Sequence, residues 1–130
     1  MPCAPDARRV DLRYLPTTHQ LLFEFSEEQL PAKITEAAFH QHFCGSSAVV
    51  FVWTALPYRT EWRYGTASYK VLAIDAGHVC QNLYLACEAI EAGTCAVAAY
   101  DQEAMDYLLK LDGDQEFTVY LAPVGKVKSS

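Results

Sequence analysis

The sequence predicts one α+β domain spanning residues 1–130. Strand-like and helix-like stretches mix along the chain without the regular strand–helix–strand repeat that a parallel sheet requires. Hydrophobic residues make up 52% and charged residues 20% of 130 positions, the balance of a globular chain. A chain of this length suits a single core that buries roughly two thirds of the unfolded surface. The third observation is one long apolar helix within "YKVLAIDAGHVCQNLYLACEAIEAGTC".

The elements follow in order. Residues 10–15 ("VDLRYL") and 20–25 ("QLLFEF") flank "PTTH", which predicts a hairpin with a four-residue loop. Ser26 opens "SEEQ", a capping-box pattern, and Pro31 suits the first turn of a helix reaching about His42. "CGSS" breaks it. Residues 48–56 ("AVVFVWTAL") are apolar and β-branched throughout, as in a strand covered on both faces. The aromatic, arginine-rich run "PYRTEWRYGTAS" has no clear period. The long helix covers residues 67–92 and stops at Gly93. A short strand at 94–100, a helix capped by Asp101, a turn at "LDGD" and a strand at 116–122 complete the chain.

The formal net charge is -6, and the only basic clusters are Arg8-Arg9 and Lys126-Val127-Lys128. A nucleic-acid binder needs a basic stripe to meet phosphates, so nucleic acid is excluded as a partner. No stretch approaches the ~20 apolar residues of a membrane span, and "MPCAPDARRVDL" holds no apolar signal core. A cytoplasmic protein is expected. The five cysteines are an odd number. Cys80 and Cys87 would lie about 10 Å apart along a helix, too far for a disulfide. Cys80, Cys87 and Cys95 read as small core residues in a reducing compartment.

Asp75, His78, Gln81 and Asn82 interrupt the long helix at three- and four-residue steps and share a face with Leu85. Two readings stand: a solvent-facing stripe, or a face wedged against a subunit partner or polar ligand. In "HQHFC", His40, His42 and Cys44 alternate and would share a face only in an extended segment; the helix expected there argues against a metal site. No nucleophile elbow and no phosphate-cradling glycine loop is present.

Five further features occur in order: "RTEWRYG", "DAGHVCQNLYLACEAI", "AGTCAVAAYD", "LLKLDGDQEF" and "YLAPVG". Together with the upstream "LRYLPTTHQLLF", they resemble the C-terminal half of the FMN-dependent nitroreductase superfamily. The branch they resemble most is that of the SagB-type dehydrogenases, whose azoline-oxidising members act in thiazole/oxazole-modified peptide biosynthesis. The resemblance implies a long central helix, a mixed sheet and an intertwined homodimer with FMN at the subunit interface. It implies an oxidoreductase that passes hydride from NAD(P)H through flavin to a small-molecule acceptor. His78, Gln81 and Asn82 then belong to the interface and flavin surroundings, and the backbone amides of Ala98 and Ala99 face the flavin N5. Lys70 matches the lysine of a Lys-Tyr pair, with Val71 in place of the tyrosine. The family's N-terminal, arginine-rich phosphate-gripping segment has no match, which leaves Lys126 and Lys128 as phosphate candidates and weak FMN binding as the expectation. A partner chain supplying that half is the other implied source. A flavin-free dimerisation or binding module is the competing function.

Overall fold

The structure, a computed structural model, describes residues 9–128; Cys3 and Arg8 lie outside that range. β1 (Val10–Leu15) and β2 (Gln20–Ser26) form the expected antiparallel hairpin, closed through a loop in which His19 is left-handed at φ 52°. Leu21, Leu22 and Phe23 are all exposed, so both faces of β2 carry uncovered apolar groups. Arg13 ties the hairpin to the rest of the fold: its guanidinium donates to Glu24 at 3.1 Å and to Glu116 at 3.0 Å, and Glu116 also accepts from Thr54 Oγ1 at 2.6 Å.

The first helix differs from the capping-box expectation. Ser26 ends β2, and α1 (Leu30–Ala37) starts after Gln29 with no side-chain cap. Glu27 acts instead, accepting from the Gln29 amide at 3.1 Å and from Lys33 Nζ at 2.7 Å. Pro31 sits in the first turn, as its missing N–H allows. The helix stops well before His42 because Phe39 and His40 are both left-handed, at φ 51° and 60°. A short α2 (His42–Ser46) restarts the chain. A Cβ at Gly45 would collide with Thr35 Oγ1 and the Pro31 carbonyl, so α2 rests its backbone on the first turn of α1.

β3 (Val49–Ala55), β5 (Phe117–Lys126) and β4 (Ala92–Thr94) form a sheet in the order β3-β5-β4, and every described pairing is antiparallel. β3 lies at an edge and is not covered on both faces: Val49 and Phe51 are exposed, while Val50 and Val52 pack on the core. Its outer face is aromatic, with Phe51 stacked on Trp53 at 6.5 Å and Trp53 tilted against Tyr120 at 6.3 Å. β5 runs four residues further than residues 116–122. It pairs through Pro123, whose carbonyl accepts from Thr94 Oγ1 at 2.9 Å.

The unassigned aromatic run folds as α3 (Tyr58–Tyr64), followed by a 3-10 turn at residues 65–67. α4 (Ser68–Ala89) is the long helix, three residues shorter at its end than expected. Glu91, left-handed at φ 56°, turns the chain, whereas Gly93 is a strand residue paired with Gly125. Ala76, Cys80 and Cys87 are buried along one line of α4. Cys95 is exposed, against expectation: it lies past the end of β4, at the mouth of a surface cleft rather than under α4. Burial pushes the Cys44 and Cys80 thiols above their ordinary range, which keeps them protonated and unreactive.

Asp101 caps α5 (Gln102–Leu108), its Oδ1 accepting from the Ala104 amide at 2.8 Å. The core joins Ile34, Ala37, Ala38, Cys44, Val97, Met105 and Leu121. Buried Asp106 is satisfied by the Thr118 amide at 2.7 Å and Gln102 Nε2 at 2.9 Å, which fixes α5 to β5. The class is α+β. None of the described helices is long and apolar enough to cross a membrane.

Candidate functional site

The chain between β4 and α5 does not form the strand expected at 94–100. Only Val97 pairs there, exchanging both backbone hydrogen bonds with Leu121 at 2.7 and 3.1 Å. Buried Val97 anchors the segment, and its neighbours are held one by one. The Ala96 amide donates to Tyr84 Oη at 2.8 Å, the Ala99 carbonyl accepts from Gln41 Nε2 at 2.8 Å, and the Asp101 amide donates to the Ala37 carbonyl at 2.8 Å.

Between these pins, Ala98 and Ala99 are exposed, and among the described residues neither amide has a protein partner. Two adjacent unpaired N–H groups on a pinned backbone, flanked by methyl side chains, present donors to any flat group that approaches closely. Tyr84 and Gln41 escaped the sequence reading. Tyr84 had a signal, since a tyrosine one turn from Cys80 on the packed side of α4 needs a partner for its hydroxyl. Gln41 had none: the left-handed pair Phe39-His40 aims it, and nothing in "HQHFC" announces that bend. His40 sits in the bend and His42 opens α2, so the alternating face imagined for a metal is not formed. No three metal-ligating side chains converge among the described residues.

His78, Gln81 and Asn82 are exposed on α4. At 100° per residue, His78 and Asn82 lie nearly opposite Cys80, the side that faces the chain's own sheet, and Gln81 lies at its flank. His78 Nδ1 donates to the Ile74 carbonyl at 2.9 Å, which leaves Nε2 directed away from the backbone. The exposed face continues through Ile74, Val79 and Leu85. His78 and Asn82 are therefore on the other side of α4 from Tyr84 and the segment that it holds, with Gln81 between the two sides.

Lys70 is exposed in the first turn of α4, fourteen residues before Tyr84. That separation is about 21 Å along the axis, so Lys70 does not join Ala98 within one chain. Lys126 pairs with Ala92 at the far end of β5, whereas Val97 pairs with Leu121. Five residues of strand separate the two places by about 17 Å, longer than the five-carbon ribityl tail of FMN. Lys126 and Lys128 line an open cleft with Phe43, Ser46, Thr94 and Cys95.

The Nitroreductase family model matches residues 6–126. A protein assigned as a nitroreductase in Methanocaldococcus jannaschii is 28% identical over 114 residues, covering 88% of this chain and 56% of its own length. The crystal structure of a protein assigned as a nitroreductase from Anabaena variabilis superposes with a TM-score of 0.81 at 26% identity, over 87% of this chain and 23% of that one. The E. coli microcin synthetase McbBCD complex with truncated pro-MccB17 bound contains a chain of the same fold, with a TM-score of 0.72 at 17% identity, over 91% of this chain and 44% of that one. The chain thus spans about half the length of the curated relative. With a family model covering nearly all of it and a fold shared with these structures, the chain belongs to the nitroreductase family.

Proposed function

We propose that the chain forms an FMN-dependent oxidoreductase unit that takes hydride from NAD(P)H and delivers it to a small-molecule acceptor. The observation that carries this reading is the pair of unpartnered, exposed amides at Ala98 and Ala99, held between Tyr84 and Gln41. They fit a flavin ring edge: two donors, small side chains, and a backbone that does not have to reorganise. FMN, when bound, supplies the two-electron chemistry; the protein orients, donates hydrogen bonds and excludes water.

Most of the remaining candidates lie away from these amides within one chain. His78 and Asn82 point off the opposite side of α4, and Lys70 and Lys126 lie about 21 Å and about 17 Å away along helix and strand. The reading therefore assigns the site to two copies of the chain. One copy contributes the Ala98–Ala99 amides and the other the polar stripe of α4, whose apolar flanks Ile74, Val79 and Leu85 would bury in a homodimer. Phosphate contacts come from Lys126 of a second copy or from a chain supplying the family's N-terminal half. Lys70 is the candidate proton-transfer group; partly buried Val71 beside it holds no proton. The SagB-type branch and cytoplasmic residence belong to the same reading, and the fold shared with a microcin synthetase chain is compatible with that branch.

The test is reconstitution with FMN followed by anaerobic addition of NADH or NADPH. Bleaching of the visible flavin band upholds the reading. A chain that retains FMN but stays yellow with both donors refutes the hydride step. A chain that dimerises yet takes up no FMN at any concentration favours the flavin-free module instead.

A further inference from the structure

α3 is exposed along most of its length and carries two matched pairs at helical i, i+4 spacing. Tyr58 and Trp62, 84% and 80% exposed, lie one turn apart, and Arg59 and Arg63 lie one turn apart beside them. Large rings left so uncovered on a helix of a chain with net charge -6 call for a ligand or partner. Trp62 is not loose: its Nε1 donates to the Arg59 carbonyl at 2.9 Å, which sets the indole plane against the helix. Tyr58, Arg59, Glu61 and Trp62 line one surface hollow. Among the described residues neither arginine has a carboxylate partner; Arg63 lies over the Tyr64 ring at 5.5 Å.

Two exposed rings, two guanidiniums with no carboxylate partner among the described residues and one carboxylate match a planar base, a pyrophosphate and ribose hydroxyls in turn. A purely apolar partner would leave both guanidiniums unpaired, and a bare anion would leave both rings without use. We infer that α3 is the docking platform for the adenosine diphosphate half of the nicotinamide dinucleotide donor. Trp62 and Tyr58 stack the adenine, Arg59 and Arg63 grip the pyrophosphate, and Glu61 accepts from a ribose hydroxyl. The inference rests on the reading that a reduced nicotinamide is the electron donor, but the binding itself needs no electron transfer.

The experiment is a titration of tryptophan fluorescence with ADP-ribose, a probe without redox chemistry. The chain has two tryptophans, and Trp53 lies on β3, apart from the hollow. The expected result is saturable quenching that disappears in Trp62→Phe and weakens at least tenfold in the surface double variant Arg59→Ala/Arg63→Ala. Nicotinamide mononucleotide, which lacks the adenosine end, should quench little. Absence of quenching by ADP-ribose, unchanged affinity in the double variant, or equal quenching by the mononucleotide overturns the platform. Binding of ADP-ribose without flavin bleaching would retain the platform and refute the hydride reading. Bleaching without ADP-ribose binding would do the reverse.

Discussion

The Gln41 side-chain amide lies 2.8 Å from the Ala99 carbonyl and 2.8 Å from the Ala38 carbonyl, bridging the end of α1 to the segment with the open amides. One short side chain thus couples a left-handed bend in the helical layer to the candidate ring contact. Gln41→Ala removes both side-chain bonds, but the buried Ala38 carbonyl keeps the Gln41 backbone amide at 3.1 Å and the Ala99 carbonyl belongs to an exposed residue, so the cost should be about 1 kcal/mol in urea unfolding. FMN affinity should fall by more than that cost implies, because Ala99 loses its fixed position. A variant with lower stability and unchanged FMN affinity would show that the bridge is structural only.

Tyr84→Phe tests the other pin. The variant keeps the ring and deletes only the hydroxyl that accepts from the Ala96 amide at 2.8 Å. Expected is a loss of about 1 kcal/mol, with faster hydrogen exchange confined to residues near Ala96. Exchange at Ala96 that does not change would mean that water already serves that amide.

Gly45→Ala should destabilise the fold by about 1–3 kcal/mol, since the new methyl meets Thr35 Oγ1 and the Pro31 carbonyl, and a backbone carbonyl does not swing aside. The check is a urea midpoint. An unchanged midpoint would show that α2 shifts freely on α1.

Tyr100 carries a pH signature. Burial first, and Asp106 second, push its hydroxyl up to about 12, and it donates to the Thr118 carbonyl at 3.0 Å. The folded state therefore holds this proton more tightly than the unfolded chain, whose tyrosine titrates near 10. Its contribution is intact below about pH 10 and fades as pH rises towards 12, by about 2 kcal/mol in all. Tyr100→Phe should flatten the alkaline limb of stability against pH. An alkaline limb identical in the variant would assign the effect to other groups.

Much of the fold was legible because its signals are local. The hairpin at "PTTH", the Asp101 cap and the long apolar period of α4 each lie within a few residues of their cause. Errors fell where tertiary contact decided. A capping-box pattern at Ser26 lost to strand pairing with Val10, and Glu91 took the left-handed turn although Gly93 stood two residues on. The buried reading of Cys95 failed because burial depends on what crosses above the strand, which composition does not record. Ala98 and Ala99 were reached only through family resemblance, whereas their pins, Gln41 and Tyr84, depend on contacts across 58 and 12 residues. The arginines of α3 were visible as letters, but their pairing with Tyr58 and Trp62 needed the helix.

In the proposed function, one flavin site needs two copies of the chain. Sedimentation velocity with detection in the flavin band tests it most directly, run across a dilution series with FMN in excess. Flavin colour should move with the dimer and be absent from the monomer, and Asn82→Leu on the outward face of α4 should reduce both dimer and colour. Flavin sedimenting with the monomer, or a stable dimer that carries none, would contradict it.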